Sequence, residues 1–171
     1  MVEHTVNPEG FGYRVAGVLL HKGKVLLSSD DHVDFWHLPG GGVKPFESSE
    51  EAIKREFREE IGVEIDVVRL LWIVENSYVF DDIKVHGIGL DFLVKPVEWT
   101  GKITREVFSG LEDDYKAVGT RYEHLEELRL TFRWFDVAEL DTITIRPQVY
   151  HKALKQIPDH PVLLRNLEVK Q

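Results

Sequence analysis

The chain has 171 residues, with 30 Asp and Glu against 21 Lys and Arg, which gives a formal net charge of −9 with histidine neutral. A content of 43% hydrophobic and 11% aromatic residues supplies a core of ordinary domain size and excludes a disordered chain or a solenoid. The absence of cysteine excludes disulfides, a thiolate nucleophile and cysteine-ligated zinc, so any metal must be held by oxygen or imidazole.

The acid excess argues against a broad phosphate-backbone surface, so no nucleic-acid partner is expected. A small anionic substrate stays open if bound cations offset the repulsion. No apolar run reaches the ~18 residues of a membrane span, and the polar start from Met1 to Gly10 lacks the apolar segment of a signal peptide. The expectation is a cytoplasmic protein with no membrane partner.

Phe11 to Ser29 reads as two β-rich runs joined at His21–Lys24 with Gly23 in the turn, a hairpin pattern. A polar loop, Asp30 to Asp34, leads to Phe35–Trp36 and the turn Pro39–Gly40–Gly41–Gly42. Ser48 to Ile61 reads as a helix: Ser48 and Glu51 fit a capping box, Ile53, Phe57 and Ile61 recur at four-residue spacing, and Gly62 sits where a terminal glycine belongs. One apolar stripe predicts that it lies against a sheet. Val63–Tyr78 and Ile83–Val94 read as long strands. From Pro96 to Leu130 no period is sustained, although Tyr122–Leu130 suggests a short helix. Thr131–Asp136 reads as a strand, Val137–Leu140 as a helical turn, and Arg146–Ile157 as a helix with Pro147 in its first turn. This order predicts one α/β domain over 1–171, a mixed sheet flanked by helices.

The chemistry is concentrated between Gly41 and Val63. On a wheel of ~100° per residue with Glu56 at zero, Glu60 falls about 40° to one side and Glu59 about 60° to the other, so three carboxylates share a face. Like charges so placed repel, and a divalent cation reverses that penalty; Mg²⁺ suits the site because it takes oxygen ligands and bridges to substrate phosphates. The glycines before the helix let the backbone approach a ligand closely. A diphosphate could then be attacked by water activated by a metal or by one of the glutamates.

Gly41, five residues, Glu47, seven residues and then Arg55–Glu56–Phe57–Arg58–Glu59–Glu60–Ile61–Gly62–Val63 resembles the complete signature of the Nudix hydrolase family at every specified position. A chance match is on the order of one in a million from residue frequencies. The flanking Trp36–His37–Leu38–Pro39–Gly40 and Phe132–Arg133–Trp134–Phe135 extend the likeness. The resemblance implies an α/β/α sandwich and Mg²⁺- or Mn²⁺-dependent hydrolysis of a nucleoside diphosphate linked to another group. By position it makes Glu56, Glu59, Glu60 and the Gly40 carbonyl metal ligands, gives Arg55 the role of orienting the glutamates, and places Glu47 behind them. The general base is either Glu56 or a loop glutamate, Glu123, Glu126 or Glu127, of which Glu127 is the candidate taken. Phe46 departs from the family, where many members have glycine.

Arg14 and His86 are candidate phosphate or ribose contacts, and Phe35 and Trp36 candidate base contacts, although aromatic residues are more often core. The competing readings are a catalytically silent nucleotide-binding or regulatory module, isomerisation of an isoprenoid diphosphate, and RNA-end hydrolysis. The second is weakened by the absence of cysteine and the third by the absence of a basic stripe. The segment from 96 to 130 is open to three roles: closing over the site, supplying the base, or forming a homodimer contact.

Overall fold

The computed structural model describes residues 10–80, 83–112 and 127–167. Its strands are β1 (Phe11–His21), β2 (Lys24–Asp30), β3 (Ile65–Phe80), β4 (Ile83–Pro96), β5 (Val107–Glu112), β6 (Leu128–Asp136) and β7 (Val162–Leu167). They form one mixed sheet in the order β5-β6-β2-β1-β4-β3-β7. The hairpin between β1 and β2 turns on Lys22 and Gly23, at φ 49° and 78°, the pair of positive angles a tight two-residue turn demands.

Beyond that turn β1 and β2 part. They pair at Leu20–Val25 and His21–Lys24, and the glycine-rich segment enters the gap. On one side it bonds to β1, where Val15 and Gly17 donate to the carbonyls of Gly41 and Pro39, each at 2.9 Å. On the other it bonds to β2, where Ser28 and His37 exchange backbone bonds at 2.8 and 2.9 Å. The wedge is so tight that a Cβ on Gly40, at φ +141°, would stand 2.2 Å from the Val15 carbonyl oxygen. Only glycine serves there.

Ser48 caps α1 (Ser49–Glu56) with the expected reciprocal box, in which its hydroxyl accepts from the Glu51 N–H and the Glu51 carboxylate accepts from the Ser48 N–H. The helix does not stay α-helical to Ile61, as the periodicity predicts. Phe57–Ile61 is a π-helical turn that ends on Gly62 at φ 75°, a feature concentrated at functional sites. Ile53, Phe57 and Ile61 are completely buried against Val15, Leu19, Phe92, Val94 and Phe132, and each such side chain contributes ~1.5–3 kcal/mol of burial. Gly17 admits the Phe57 ring, since a Cβ there would meet it. The opposite face packs Trp72, Val74, Leu140, Ile145, Tyr150 and Leu154.

Several expected elements are corrected. The predicted helix over Tyr122–Leu130 is replaced at its C-terminal end, where Leu128–Leu130 opens β6; residues 122–126 lie outside the described residues. The irregular stretch from Pro96 contains β5, and β7 was not anticipated. The helix over Arg146–Ile157 contracts to α2 (Tyr150–Ala153), with Pro147 ahead of it after a cis bond. The helical turn after β6 runs as a 3₁₀ turn, Val137–Thr142. Among the described residues no helix is long and apolar enough to cross a membrane.

Candidate active site

Arg55 organises the site. At 13% side-chain exposure, it directs Nε to Glu47 Oε1 at 2.8 Å and Nη2 to Glu47 Oε2 at 3.0 Å. Its Nη1 reaches Glu56 Oε1 at 2.6 Å and Glu59 Oε2 at 2.9 Å, and Nη2 also donates to the Gly42 carbonyl at 2.9 Å. One planar fork thereby ties three carboxylates to the glycine loop, which a lysine could not do. The Arg55 hydrogen bond lowers the pKa of Glu47, and the same partners, Glu47 first, raise that of Arg55. Phe46, just before Glu47, has φ 65° and is fully exposed. That backbone angle explains why glycine is common at the position, and it holds about 1–2 kcal/mol of strain in a residue with a side chain.

Glu56 and Glu60 are almost fully buried and Glu59 is 30% exposed. The 3.6-residue wheel does not apply across the π turn, so the shared face is uneven: two carboxylates point inward and one lies at the rim. Gly41 makes room for Glu56, since a Cβ on it would stand 2.6 Å from the Glu56 carboxyl carbon. On the far side, β5 presses on the π turn at Gly110, where a Cβ would lie 2.0 Å from the Glu60 carbonyl oxygen.

The donors fit a hard divalent cation in kind, being carboxylates and carbonyls without sulfur. Among the described residues no three carboxylates or imidazoles close on a single point in this conformation; Glu56 and Glu59 instead meet on Arg55 Nη1. Glu56, Glu59 and Glu60 are the residues that would hold the ion. The Gly40 carbonyl, the other expected ligand, accepts from Arg14 Nη2 at 3.1 Å and retains a second lone pair.

The remaining candidates scatter. Glu127 is exposed just before β6, and its carboxylate is on Arg129 at 2.6 Å; Glu123 and Glu126 lie outside the described residues. Trp36 bridges to Ile145 and packs edge-on against Phe135 at 4.7 Å, within the second core. Phe35 is part-buried near the His37 ring at 6.4 Å. His86 is exposed on β4 beside Phe11, ring centroids 6.5 Å apart.

A cavity of ≈ 250 Å³ opens beside the glycine loop, with Gly42, Arg14 and His37 on its wall and Asp91 and Tyr150 within it. Asp91 is 1% exposed and its Oδ2 accepts from the Tyr150 hydroxyl at 2.7 Å. Burial raises its pKa to about 7, against the smaller opposing pull of Tyr150 and Arg14. The part-buried His37 ring, with Nδ1 3.0 Å from Ser28 Oγ, is held down to about 4 chiefly by desolvation and then by Arg14. Sequence reasoning passed over Asp91, although an acid inside the apolar run Ile88–Val94 is itself a signal.

These two groups impose opposed slopes on stability. For Asp91 the folded state binds the proton more tightly than the unfolded chain, so stability falls as pH rises from about 4 to about 7. For His37 the folded state binds it less tightly, so stability falls as pH drops from 6.5 to about 4. The two effects oppose each other across most of that range. Asp91→Asn should raise Tm at pH 8 and not at pH 4, leaving a protein that loses stability on acidification; His37→Gln should lose stability as pH rises through the same range. Thermal melts at pH 4 to 8 check both, and parallel profiles for all three proteins would defeat the assignment.

The NUDIX domain model matches residues 11–155. An RNA pyrophosphohydrolase of Ectopseudomonas mendocina is 27% identical over 157 residues, 89% of this chain and 94% of that one. One of Pseudomonas putida is 39% identical over 67 residues, a match that spans 39% of this chain and only 42% of the relative's length. The MutT NUDIX hydrolase structure from Burkholderia pseudomallei superposes with a TM-score of 0.54 at 19% identity, covering 86% of this chain and 98% of that one. The mixed sheet, with its glutamate-rich helix behind a glycine loop, is a Nudix fold. The chain belongs to the Nudix hydrolase family, whose members generally require divalent metal ions.

Proposed function

We propose that the protein is a single-domain, Mg²⁺- or Mn²⁺-dependent pyrophosphohydrolase of small nucleotides, cleaving a nucleoside diphosphate linked to another moiety by water attack at phosphorus. The observation that carries this reading is the Arg55 clamp: three glutamates gathered beside a glycine loop that also walls a cavity. A bound divalent cation supplies positive charge to the phosphate oxygens and lowers the pKa of water. Glu56, Glu59 and Glu60 would hold it, Arg55 and Glu47 keep those carboxylates oriented, and Glu56 stands as the general base in preference to Glu127. Arg14, on the cavity wall, offers a cation to phosphate.

Glu59→Gln and Glu60→Gln are each expected to cut turnover by about 10²-fold while preserving the melting transition. The assay is chromatographic detection of the nucleoside monophosphate and its co-product from a panel of nucleoside triphosphates, nucleotide sugars, ADP-ribose and dinucleoside polyphosphates with Mg²⁺ or Mn²⁺. Undiminished turnover in both variants defeats the metal assignment; no turnover of any compound by the parent protein favours a silent nucleotide-binding module.

The name of the Ectopseudomonas relative favours a second reading, removal of pyrophosphate from an RNA 5′ end. The net charge of −9 opposes it, since RNA affinity rests on cationic contacts. A triphosphorylated oligonucleotide in the same panel separates the two: preference for it over the matching mononucleotide installs the RNA reading.

A further inference from the structure

The cavity beside the glycine loop has a bare floor and an acid at its deep end. On parallel β1 and β4, Gly12 stands beside Gly87, Arg14 beside Gly89, and Ala16 beside Asp91. Residues 87, 89 and 91 share one face of β4 by the period of a strand, so two glycines on the cavity lining leave that face without side chains up to Asp91. A Cβ on Gly87 would sit 2.9 Å from the Gly12 carbonyl oxygen, so that part of the floor resists any side chain. A volume of ≈ 250 Å³ falls below the ~300–1,000 Å³ of drug-sized sites and suits one flat ring system.

The polar groups at the end of this floor are complementary. The Tyr150 hydroxyl fixes Asp91 through Oδ2, while Oδ1 lies toward the floor, 3.8 Å from where a Gly89 Cβ would be. The Arg14 stem flanks the same point, its Cγ at 3.9 Å. In its ionised form the Asp91 carboxylate only accepts, so that form is complemented by a ligand edge that carries adjacent donors. Guanine sets two N–H donors side by side, ring N1–H and the 2-amino group, next to the O6 acceptor. Adenine and cytosine offer one amino group beside an acceptor nitrogen, and uracil one N–H between two carbonyls.

We propose that Asp91 selects the base of the substrate, accepting the N1–H and 2-amino edge of a guanine laid over Gly87 and Gly89. This deepens the nucleotide reading above and rests on it. The geometry links the base to the chemistry, because Gly42 lines the cavity while its carbonyl is held by Arg55. Keeping an acid at 1% exposure costs stability at neutral pH, a cost that a recognition role accounts for. Its pKa of about 7 adds a signature: donors from a ligand favour the ionised form, so guanine binding near pH 6.5 should release a proton.

The test uses product monophosphates, which need no turnover. Calorimetry with GMP, AMP, CMP, UMP and XMP should show wild-type preference for GMP by at least about tenfold over the others, with proton release at pH 6.5. Asp91→Asn should lose at least about tenfold in GMP affinity and rank XMP above GMP, because the amide donates to a 2-oxo group where the carboxylate accepted from a 2-amino group. Gly89→Val, which fills the floor, should weaken every monophosphate. A wild type without base preference, an Asp91→Asn protein with the parent ranking, or unchanged binding in Gly89→Val overturns the proposal. Equal hydrolysis of ATP and GTP overturns it while leaving the pyrophosphohydrolase reading intact. GMP preference in a protein that hydrolyses no phosphoanhydride does the reverse.

Discussion

Arg55→Ala is expected to abolish most activity, by at least about 10²-fold, and to destabilise the fold by about 3–5 kcal/mol. The guanidinium makes five hydrogen bonds to Glu47, Glu56, Glu59 and Gly42, and Glu56 is 2% exposed. Removing the cation leaves a buried carboxylate next to two others, the case in which losing one partner costs far more than the pair contributes. Relief comes by protonation of Glu56 or by its rotation away, and either spoils a cation ligand. Arg55→Lys is expected to be nearly as inactive, because a single ammonium cannot span Nε-, Nη1- and Nη2-type contacts at once. Denaturant melts and kcat measured over a Mg²⁺ titration provide the check. A divalent ion substitutes in part for the missing charge, so the stability deficit of Arg55→Ala should shrink as Mg²⁺ rises. A deficit indifferent to the ion would mean that Arg55 acts only on packing.

The legible parts of this molecule are those in which local chemistry and tertiary packing agree. Ser48 and Glu51 announce the start of α1, Gly62 its end, and Gly23 the hairpin, because capping and positive φ are requirements of a few consecutive residues. The π turn was not legible. Its residues carry the same apolar spacing as an α-helix, and what surrounds the turn is tertiary: Phe57 and Ile61 lie in the core and β5 stands against the Glu60 backbone at Gly110. β5 itself is hidden for a related reason. Val107 and Leu111 stay exposed at the sheet edge and Gly110 interrupts the pattern, so no alternation advertises the strand. In β6 the alternation is clean from Leu128 to Trp134, buried at every second residue, and the glutamates just before it lent that stretch a helical look. At the site, the identity and spacing of Arg55 and its glutamates were readable because they are close in sequence. The Asp91–Tyr150 pair joins residues 59 apart and takes its meaning only from the burial that the fold imposes.

The neighbouring glycines should separate stability from chemistry. Gly40→Ala is expected to cost several kcal/mol: its φ of +141° is strained for a residue with a side chain, by about 1–3 kcal/mol. The new methyl would also sit 2.2 Å from the Val15 carbonyl oxygen and 2.8 Å from the Ala16 Cα. Those atoms belong to the backbone of a central strand and cannot step aside, so overpacking adds about 1–3 kcal/mol, a large share of the ~5–15 kcal/mol that holds a domain together. Gly41→Ala meets something different. Its methyl would fall 2.6–2.7 Å from the carboxyl carbon and both oxygens of Glu56, the far end of a side chain that can rotate, but only by leaving Arg55. Gly41→Ala leaves Arg55 paired with Glu47 and Glu59, so it should lose less Tm than Arg55→Ala or Gly40→Ala and lose about 10²-fold or more in kcat, whereas Gly40→Ala should lose folded protein first. Urea denaturation alongside turnover at saturating Mg²⁺ tells them apart. Full activity in Gly41→Ala would show that Glu56 need not occupy the place beside the glycine loop, and would remove it from the reacting groups.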